Sequence, residues 1–196
     1  MNPHLLFELK RKLTHLVGLF FIIIYLFFYK LYNHKIALLS LTIILLVLII
    51  LEFYRVQLKK KIPIPFIHSL RRESEINKIG SEVYYTLGAI LVFSVFDLKI
   101  ALTALSFAIF GDIASALIGI KFGKHWINSD KSWEGVIAEF IIDFIISILI
   151  INNLFIAIAM SITATLVETF FRHVDDNLTI PVFSGFVGEI LRMMGV

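Results

Sequence analysis

Residues 13–54 read LTHLVGLFFIIIYLFFYKLYNHKIALLSLTIILLVLIILEFY, two apolar runs joined by a short polar turn. Lipid requires long apolar runs, whereas a water-facing surface requires alternation with polar residues. The pattern continues along the chain, because 59% of the 196 residues are hydrophobic, 17% are charged and the mean hydropathy is +0.90. Soluble domains have about a quarter of their residues charged. The sequence therefore predicts an all-α, polytopic membrane helix bundle.

Six apolar runs approach the roughly 20 residues that a spanning helix needs. They are Leu13–Tyr29, Ile36–Tyr54, Val83–Phe96, Leu98–Ile120, Val136–Ile151 and Leu154–Phe170. The last stretch, Ile180–Val196, carries Glu189 and Arg192 and is interpreted as a half-inserted element, with a short seventh span as the alternative. We expect about six or seven spans. A single integral membrane domain, residues 1–196, is expected because no polar stretch is long enough for a separate soluble domain.

The distribution of lysine and arginine predicts the orientation, since cytoplasmic loops are enriched in both. Fourteen of them would lie on one side of the membrane, in the N-terminal segment and in the segments 55–82, 121–135 and 171–179. The other side would carry three, Lys30, Lys35 and Lys99. The N-terminus is therefore predicted to be cytoplasmic. Every long polar segment then lies on the cytoplasmic face, where an active site is expected.

Composition also argues against several classes of site and partner. Without cysteine, the chain can form no disulfide, thiolate zinc site or cysteine nucleophile. The net charge is only +3, and the basic residues alternate with apolar runs instead of forming a continuous stripe. Nucleic acid is therefore not an expected partner.

Asp112 lies within the fourth apolar run, where an ionisable side chain is costly and usually functional. Gly111, Ser115, Gly119 and Gly123 recur around it at every fourth position and so share one helix face. Such a face allows close helix packing. It would also let a nucleotide phosphate approach the backbone, with Asp112 holding a divalent cation nearby. The two uses are compatible, and both stay open at this point.

Three ionisable residues surround the start of the fifth run. Lys131 is a candidate for neutralising phosphate charge, the alternative being a basic residue at the membrane surface. Glu139 and Asp143 are one helical turn apart on one face. Glu139 is near the interface, where water can solvate it. Asp143 is deeper and needs a partner that the sequence does not identify.

The sixth run ends with Glu168 and leads to Asp175, Asp176 and Asn177. Carboxylate and amide oxygens without sulfur are the ligands that Mg²⁺ prefers. The alternative is an ordinary solvated turn, since Asp and Asn are common turn residues. Their place on the same predicted face as Asp112 favours the metal site.

Taken together, four motifs resemble the CTP-dependent lipid kinases, a family that includes dolichol (polyprenol), phytol and farnesol kinases and the yeast-type diacylglycerol kinase. The motifs are ELKRKLTHLVG at 8–18, RRESEINKIGSEVYYTLG at 71–88, GDIASALIGIKFGKHWINSDKSWEG at 111–135 and ETFFRHVDDNLTIP at 168–181. The third motif is shared with the related phosphatidate cytidylyltransferases. The KD…PGHGG…DR…D signature of that second family is absent from residues 1–196, which favours the kinases.

The resemblance implies transfer of the CTP γ-phosphoryl group to a membrane lipid alcohol, most simply a polyprenol, at the cytoplasmic face. It implies three catalytic residues, Asp112, Lys131 and Asp176, with Asp112 as the candidate acceptor of the alcohol's proton. The implied Mg²⁺ ligands are Asp112, Asp175, Asp176, Glu168 and Asn177. The implied nucleotide-binding residues are Gly111, Ser115, Gly119, Gly123, Lys124, Lys131, Arg71 and Arg72. Arg71 and Arg72 could instead contact anionic lipid headgroups.

Three other functions remain open. A cytidylyltransferase would attach CMP to a lipid phosphate and so make a CDP-lipid. A small ion-coupled transporter would use the buried acids to bind its ion, although no clear internal repeat supports it. A structural subunit would pair its buried charges with a partner chain. A homodimer is also plausible for so small a bundle.

Overall fold

Helices account for nearly all of the described chain. The computed structural model describes residues 14–57, 78–127, 131–171 and 174–196. Its helices are Val17–Leu31 (α1), His34–Val56 (α2), Ser81–Val95 (α3), Leu98–Phe122 (α4), Trp133–Ile151 (α5), Leu154–Phe170 (α6) and Asp176–Met193 (α7). A 3₁₀ turn, Thr14–Leu16, precedes α1, and a π-helical segment, Phe107–Gly111, interrupts α4. No β-strand occurs in these ranges, so the prediction of an all-α chain is confirmed for them.

Asparagine and aspartate side chains cap the N-termini of several helices. Asn33 caps α2, Asp97 caps α4 and Asn153 caps α6, each accepting a hydrogen bond from a backbone N–H of the first turn. These bonds satisfy donors that have no partner within the helix. Asn152 ends α5 in the left-handed conformation, with φ of 57°, which lets the chain reverse immediately into α6.

The helices belong to two compact units, Met1–Leu87 and Gly88–Val196. The first contains α1 and α2, the second contains α4 to α7, and α3 runs across the boundary. In the first unit α1 packs against α2. The Tyr25 hydroxyl is 2.8 Å from Nδ1 of His34, and the Tyr25 and Tyr29 rings stack. In the second unit α5 packs against both α4 and α6, and α7 packs along α6 and α4.

A buried ion pair lies near the end of α2, in the first unit. Arg55 donates to both carboxylate oxygens of Glu52, at 2.9 and 2.5 Å, and less than a tenth of either side chain is exposed. Arg55 also donates to the carbonyl of Lys78, and the backbone N–H of Gly80 donates to Glu52 at 2.9 Å. The pair therefore fixes the chain where it enters α3, a role for Glu52 that the sequence alone does not indicate.

The helix limits follow the apolar runs closely, and they differ most at the two termini. The first run was predicted from Leu13, but α1 begins at Val17, and Leu13 lies outside the described residues. The tail was predicted from Ile180, whereas α7 begins at Asp176, and Pro181 lies inside it. In the part of the chain that the structure describes, two helices, α2 and α4, are long and apolar enough to cross a membrane. Three shorter helices, α1, α3 and α6, are also apolar.

Replacing Arg55 by Met should lower the free energy of unfolding by about 3–5 kcal/mol, because it removes the cation that binds both oxygens of the buried Glu52 carboxylate. Arg192 is a matched control, since it pairs with Glu189 at the same spacing but has 47% of its side chain exposed. Arg192→Met should cost clearly less, because water reaches the half-exposed Arg192–Glu189 pair more easily than the Glu52–Arg55 pair. Unfolding of the detergent-solubilised variants in SDS, followed by circular dichroism, measures both. Equal losses would contradict this account of the Glu52–Arg55 pair.

Candidate functional site

Lys131 is buried between two glutamates that come from different helices. Its Nζ is 2.7 Å from Oε2 of Glu139 in α5 and also forms an ion pair with Glu168 in α6. Less than a tenth of each of these three side chains is exposed. Burial disfavours the ammonium, but the carboxylates of Glu168 and Glu139 outweigh that effect and raise the pKa of Lys131. The lysine is therefore charged at neutral pH.

Local backbone structure sets the position of Lys131. Its carbonyl accepts from the N–H of Ile127 at 2.9 Å, and the N–H of Trp133 donates to the carbonyl of His125 at 2.9 Å. The next residue, Ser132, caps α5 by accepting from the N–H of Gly135. These two hydrogen bonds hold residues 125–127 beside Lys131 and Trp133, so Lys131 lies just before the helix that carries Glu139.

Helix α5 places its polar residues inside and its apolar residues outside. Gly135, Glu139, Asp143 and Ser147 recur at every fourth position, and all are buried. Large apolar side chains on another face are exposed, namely Ile137, Ile141, Ile145 and Leu149. Soluble helices have the opposite arrangement. Glu139 was expected to be solvated, but it is 1% exposed and holds Lys131.

Asp143 lies deep in the second unit against the π-helical segment of α4. A Cβ atom at Gly111 would lie 2.5 Å from Oδ1 of Asp143, so only glycine allows this approach. Asp143 is 1% exposed, and neither carboxylate oxygen has a hydrogen-bond partner among the described residues. π-Helical turns are rare and often occur at functional sites. Asp112, also buried, follows this segment directly.

The small-residue face of α4 packs against the start of α5. A Cβ atom at Gly135 would lie 2.8 Å from the carbonyl oxygen of Ser115, and one at Gly119 would lie 3.2 Å from Oγ of Ser132. Gly123 also contacts Ser132. This is the close helix packing that the sequence allowed. Binding of a nucleotide along the same face stays a prediction.

The Asp175–Asn177 turn forms the N-terminus of α7. Asp175 accepts from the backbone N–H of Asn177 at 3.0 Å, and the Asn177 amide donates to both Asp175 and Asp176. Asn177 is buried, and its carbonyl oxygen would lie 3.1 Å from a Cβ atom at Gly88. The turn that was the alternative interpretation is therefore present, and within it Asp175 caps α7. A role in metal binding stays a prediction.

The structure brings some of the predicted site residues together and leaves others apart or outside its range. Lys131 and Glu168 are in contact, and Gly111 places Asp112 beside the helix that carries Glu139. Lys124 is exposed, while Arg71 and Arg72 lie outside the described residues. Within the described ranges, no three Asp, Glu or His side chains are arranged to hold a metal ion together. Glu139 lies four residues after Gly135 and four before Asp143, so it shares their helix face. This spacing could have identified Glu139 as buried.

Gly111→Ala should destabilise the protein by about 1–3 kcal/mol, because the added methyl group meets the Asp143 carboxylate in a packed interior. Asp143→Ala removes the carboxylate, so in that background the same substitution should cost much less. Unfolding of the two single variants and the double variant in SDS gives the coupling between the two positions. Additive losses would show that Gly111 and Asp143 do not meet.

Comparison with known proteins shows a relative of similar length. The uncharacterized protein RP860 of Rickettsia prowazekii (strain Madrid E) is 30% identical over 189 residues, an alignment that covers 90% of this chain and 90% of the relative. No family model matches the chain, and no solved structure matches it significantly. Because identity extends along nearly the whole of both sequences, the chain belongs to the same protein family as RP860 of R. prowazekii.

Proposed function

We propose that the chain is a multi-pass membrane protein with six or seven spans and a cytoplasmic N-terminus. The inside-out pattern of α5 supports this proposal, because exposed isoleucines and a buried polar stripe suit lipid and not water. Helix α2 supports it as well, since large apolar side chains are exposed along its length, for example Leu39, Ile43 and Ile50. The bias of lysine and arginine toward one face supports the orientation.

The activity that we propose is CTP-dependent phosphorylation of a membrane lipid alcohol of the polyprenol type. The contact between Lys131 and Glu168 carries this proposal. Lys131 belongs to the motif at 111–135 and Glu168 opens the motif at 168–181, 37 residues further along the chain. Two of the four motifs that resemble the lipid kinases therefore meet at one buried, charged position.

The reaction exchanges one phosphorus–oxygen bond for another. The alcohol oxygen bonds to the γ-phosphorus of CTP, the bond from that phosphorus to the β,γ-bridging oxygen breaks, and CDP leaves. The alcohol's proton passes to a carboxylate, for which Asp112 is the candidate. The protein's contribution is positioning and charge stabilisation. Lys131 and Lys124, with Arg71 or Arg72, would offset phosphate charge.

The oxygen-rich side chains of this region suit Mg²⁺, which prefers hard oxygen ligands. Oε2 of Glu168 is buried and has no hydrogen-bond partner among the described residues, so it remains available as a ligand. Asp112, Asp175, Asp176 and Asn177 are the other candidates. When bound, the ion would neutralise charge on the phosphate oxygens.

Ion-coupled transport is a second candidate, and the burial of Asp143 favours it. Carboxylates deep within membrane helices are common in ion and proton pathways. Purified protein in liposomes should then support substrate or ion flux without added nucleotide. Flux of this kind, together with no phosphoryl transfer, would favour the transporter over the kinase.

The proposed orientation can be measured with single cysteines, because the chain contains none of its own. His125 and Lys99 are both exposed and lie at opposite ends of α4. In intact bacterial cells, a membrane-impermeant maleimide should label Lys99→Cys and leave His125→Cys unlabelled until the membrane is permeabilised. Labelling of both positions in intact cells would contradict a membrane-spanning α4, and the reverse pattern would invert the topology.

Purified protein should transfer the label of γ-labelled CTP, and not of α-labelled CTP, to a polyprenol in the presence of Mg²⁺. Asp112→Asn, Asp176→Asn and Lys131→Ala should each lower the rate by at least about a hundredfold, as expected for groups that stabilise charge in the transition state. Lys99→Ala removes an exposed lysine at the other end of α4 and should not change the rate.

The label also separates the proposed reaction from its closest rival. Lipid that acquires the α-label would identify a cytidylyltransferase. No transfer from any nucleoside triphosphate to a panel of lipid alcohols would remove the kinase proposal. Full activity of a folded Lys131→Ala variant would remove Lys131 from the mechanism.

A further inference from the structure

The buried ionisable groups around Lys131 do not balance in charge. One ammonium faces three carboxylates, Glu139, Asp143 and Glu168, and each of the four side chains is more than nine-tenths buried. Asp143 is one turn from Glu139 on the same helix face, and it interacts electrostatically with both Glu168 and Lys131. If all four groups are ionised, two negative charges remain uncompensated among these described residues. Such an excess is costly in a buried environment.

Several oxygens of these three carboxylates accept no hydrogen bond from the described residues. Lys131 takes Oε2 of Glu139 and Oε1 of Glu168. Oε1 of Glu139, Oε2 of Glu168 and both oxygens of Asp143 are buried and have no hydrogen-bond partner among the described residues. Buried polar atoms of native proteins nearly always have partners. Within the described ranges, these oxygens therefore have room for a further ligand, although Lys131 acts electrostatically on Asp143.

We propose that Glu139 and Glu168 hold a divalent cation, and that the Lys131 ammonium occupies the position of this cation when no metal is bound. The two charges of the ion, together with the single charge of Lys131 if it stays nearby, balance the three carboxylates. The site would take Mg²⁺ or Mn²⁺, because magnesium is held in proteins by one or two carboxylates, with water and substrate phosphates completing its six ligands. A site of this kind needs no cage of three acidic side chains.

Metal binding then releases Lys131 for another anion. With the ion between the carboxylates, the ammonium can turn toward the phosphates that the metal also contacts. Asp143 adds negative charge one turn deeper, which strengthens the attraction for a divalent ion over a monovalent one. This inference deepens the proposed function, because it names the residues that hold its magnesium, but the binding of the ion can be measured without any catalytic activity.

Electron paramagnetic resonance of Mn²⁺ tests the site in the full-length protein in detergent. The wild-type protein should bind one Mn²⁺ per chain, and Mg²⁺ should displace it. Glu139→Gln and Glu168→Gln should each weaken binding at least about tenfold, because each removes one of two charged ligands. Glu189→Gln is the matched control, since Glu189 is a mostly buried glutamate that pairs with Arg192 instead. It should bind Mn²⁺ like the wild type.

The Lys131→Met variant distinguishes a metal-binding site from a purely structural ion pair. If the ammonium takes the place of the metal, removing it should leave Mn²⁺ binding as tight as before or tighter, and Mn²⁺ should restore thermal stability to the variant. If Lys131 serves only to pair the two glutamates, the variant should be destabilised and Mn²⁺ should not rescue it.

Two other results would overturn the inference, whatever the Lys131→Met variant shows. One is a wild-type protein that binds no Mn²⁺ at millimolar concentration. The other is binding that survives both Glu139→Gln and Glu168→Gln. Mn²⁺ binding without phosphoryl transfer would retain the metal site and remove the kinase. Phosphoryl transfer that is unchanged in Glu139→Gln would retain the kinase and remove this site.

Discussion

A charge buried away from water must be paired, and Lys131 satisfies that requirement with two glutamates on neighbouring helices. This interaction joins the segment that precedes α5 to α5 itself and to the end of α6. It also gathers residues that are 37 positions apart in the sequence. Ser132 and Gly135, which closely follow Lys131 in the chain, pack against α4.

The second unit is built around polar residues in its interior. Glu139, Asp143 and Ser147 occupy the buried face of α5, while isoleucines are exposed on another face. In water this arrangement would expose apolar surface and bury charge, both of which are unfavourable. In lipid the exposed face is solvated by hydrocarbon, and the buried polar groups are isolated from competing water. The same isolation strengthens their attraction for a cation.

Much of the fold could be predicted from the sequence, because helices in an apolar chain follow its uninterrupted runs. The limits of α4 to α6 agree with those runs within a few residues, and Asn153 and Asp97 are capping residues at the expected turns. The start of α7 could not be predicted in the same way. Asp175 caps it and Pro181 lies within its first two turns, so its N-terminal part looks like a polar loop in sequence.

The candidate site was predictable only in part, since pairing depends on tertiary packing. Lys131 and Glu168 were both assigned to the predicted site, but their direct ion pair could not be predicted from the sequence. The burial of Glu139 could not be predicted from its distance to the helix end, because it depends on how α5 packs against α4 and α6. The contact of Asp143 with Gly111 requires both the π-helical segment and a missing side chain, neither of which spacing alone reveals.

The most direct test of this account is an experimental structure with Mn²⁺ and a non-hydrolysable CTP analogue, in which anomalous scattering locates the metal. The account predicts an anomalous peak between the carboxylates of Glu139 and Glu168, with Lys131 turned to the γ-phosphate. A peak elsewhere, with Lys131 still bound to both glutamates in the presence of nucleotide, would contradict it.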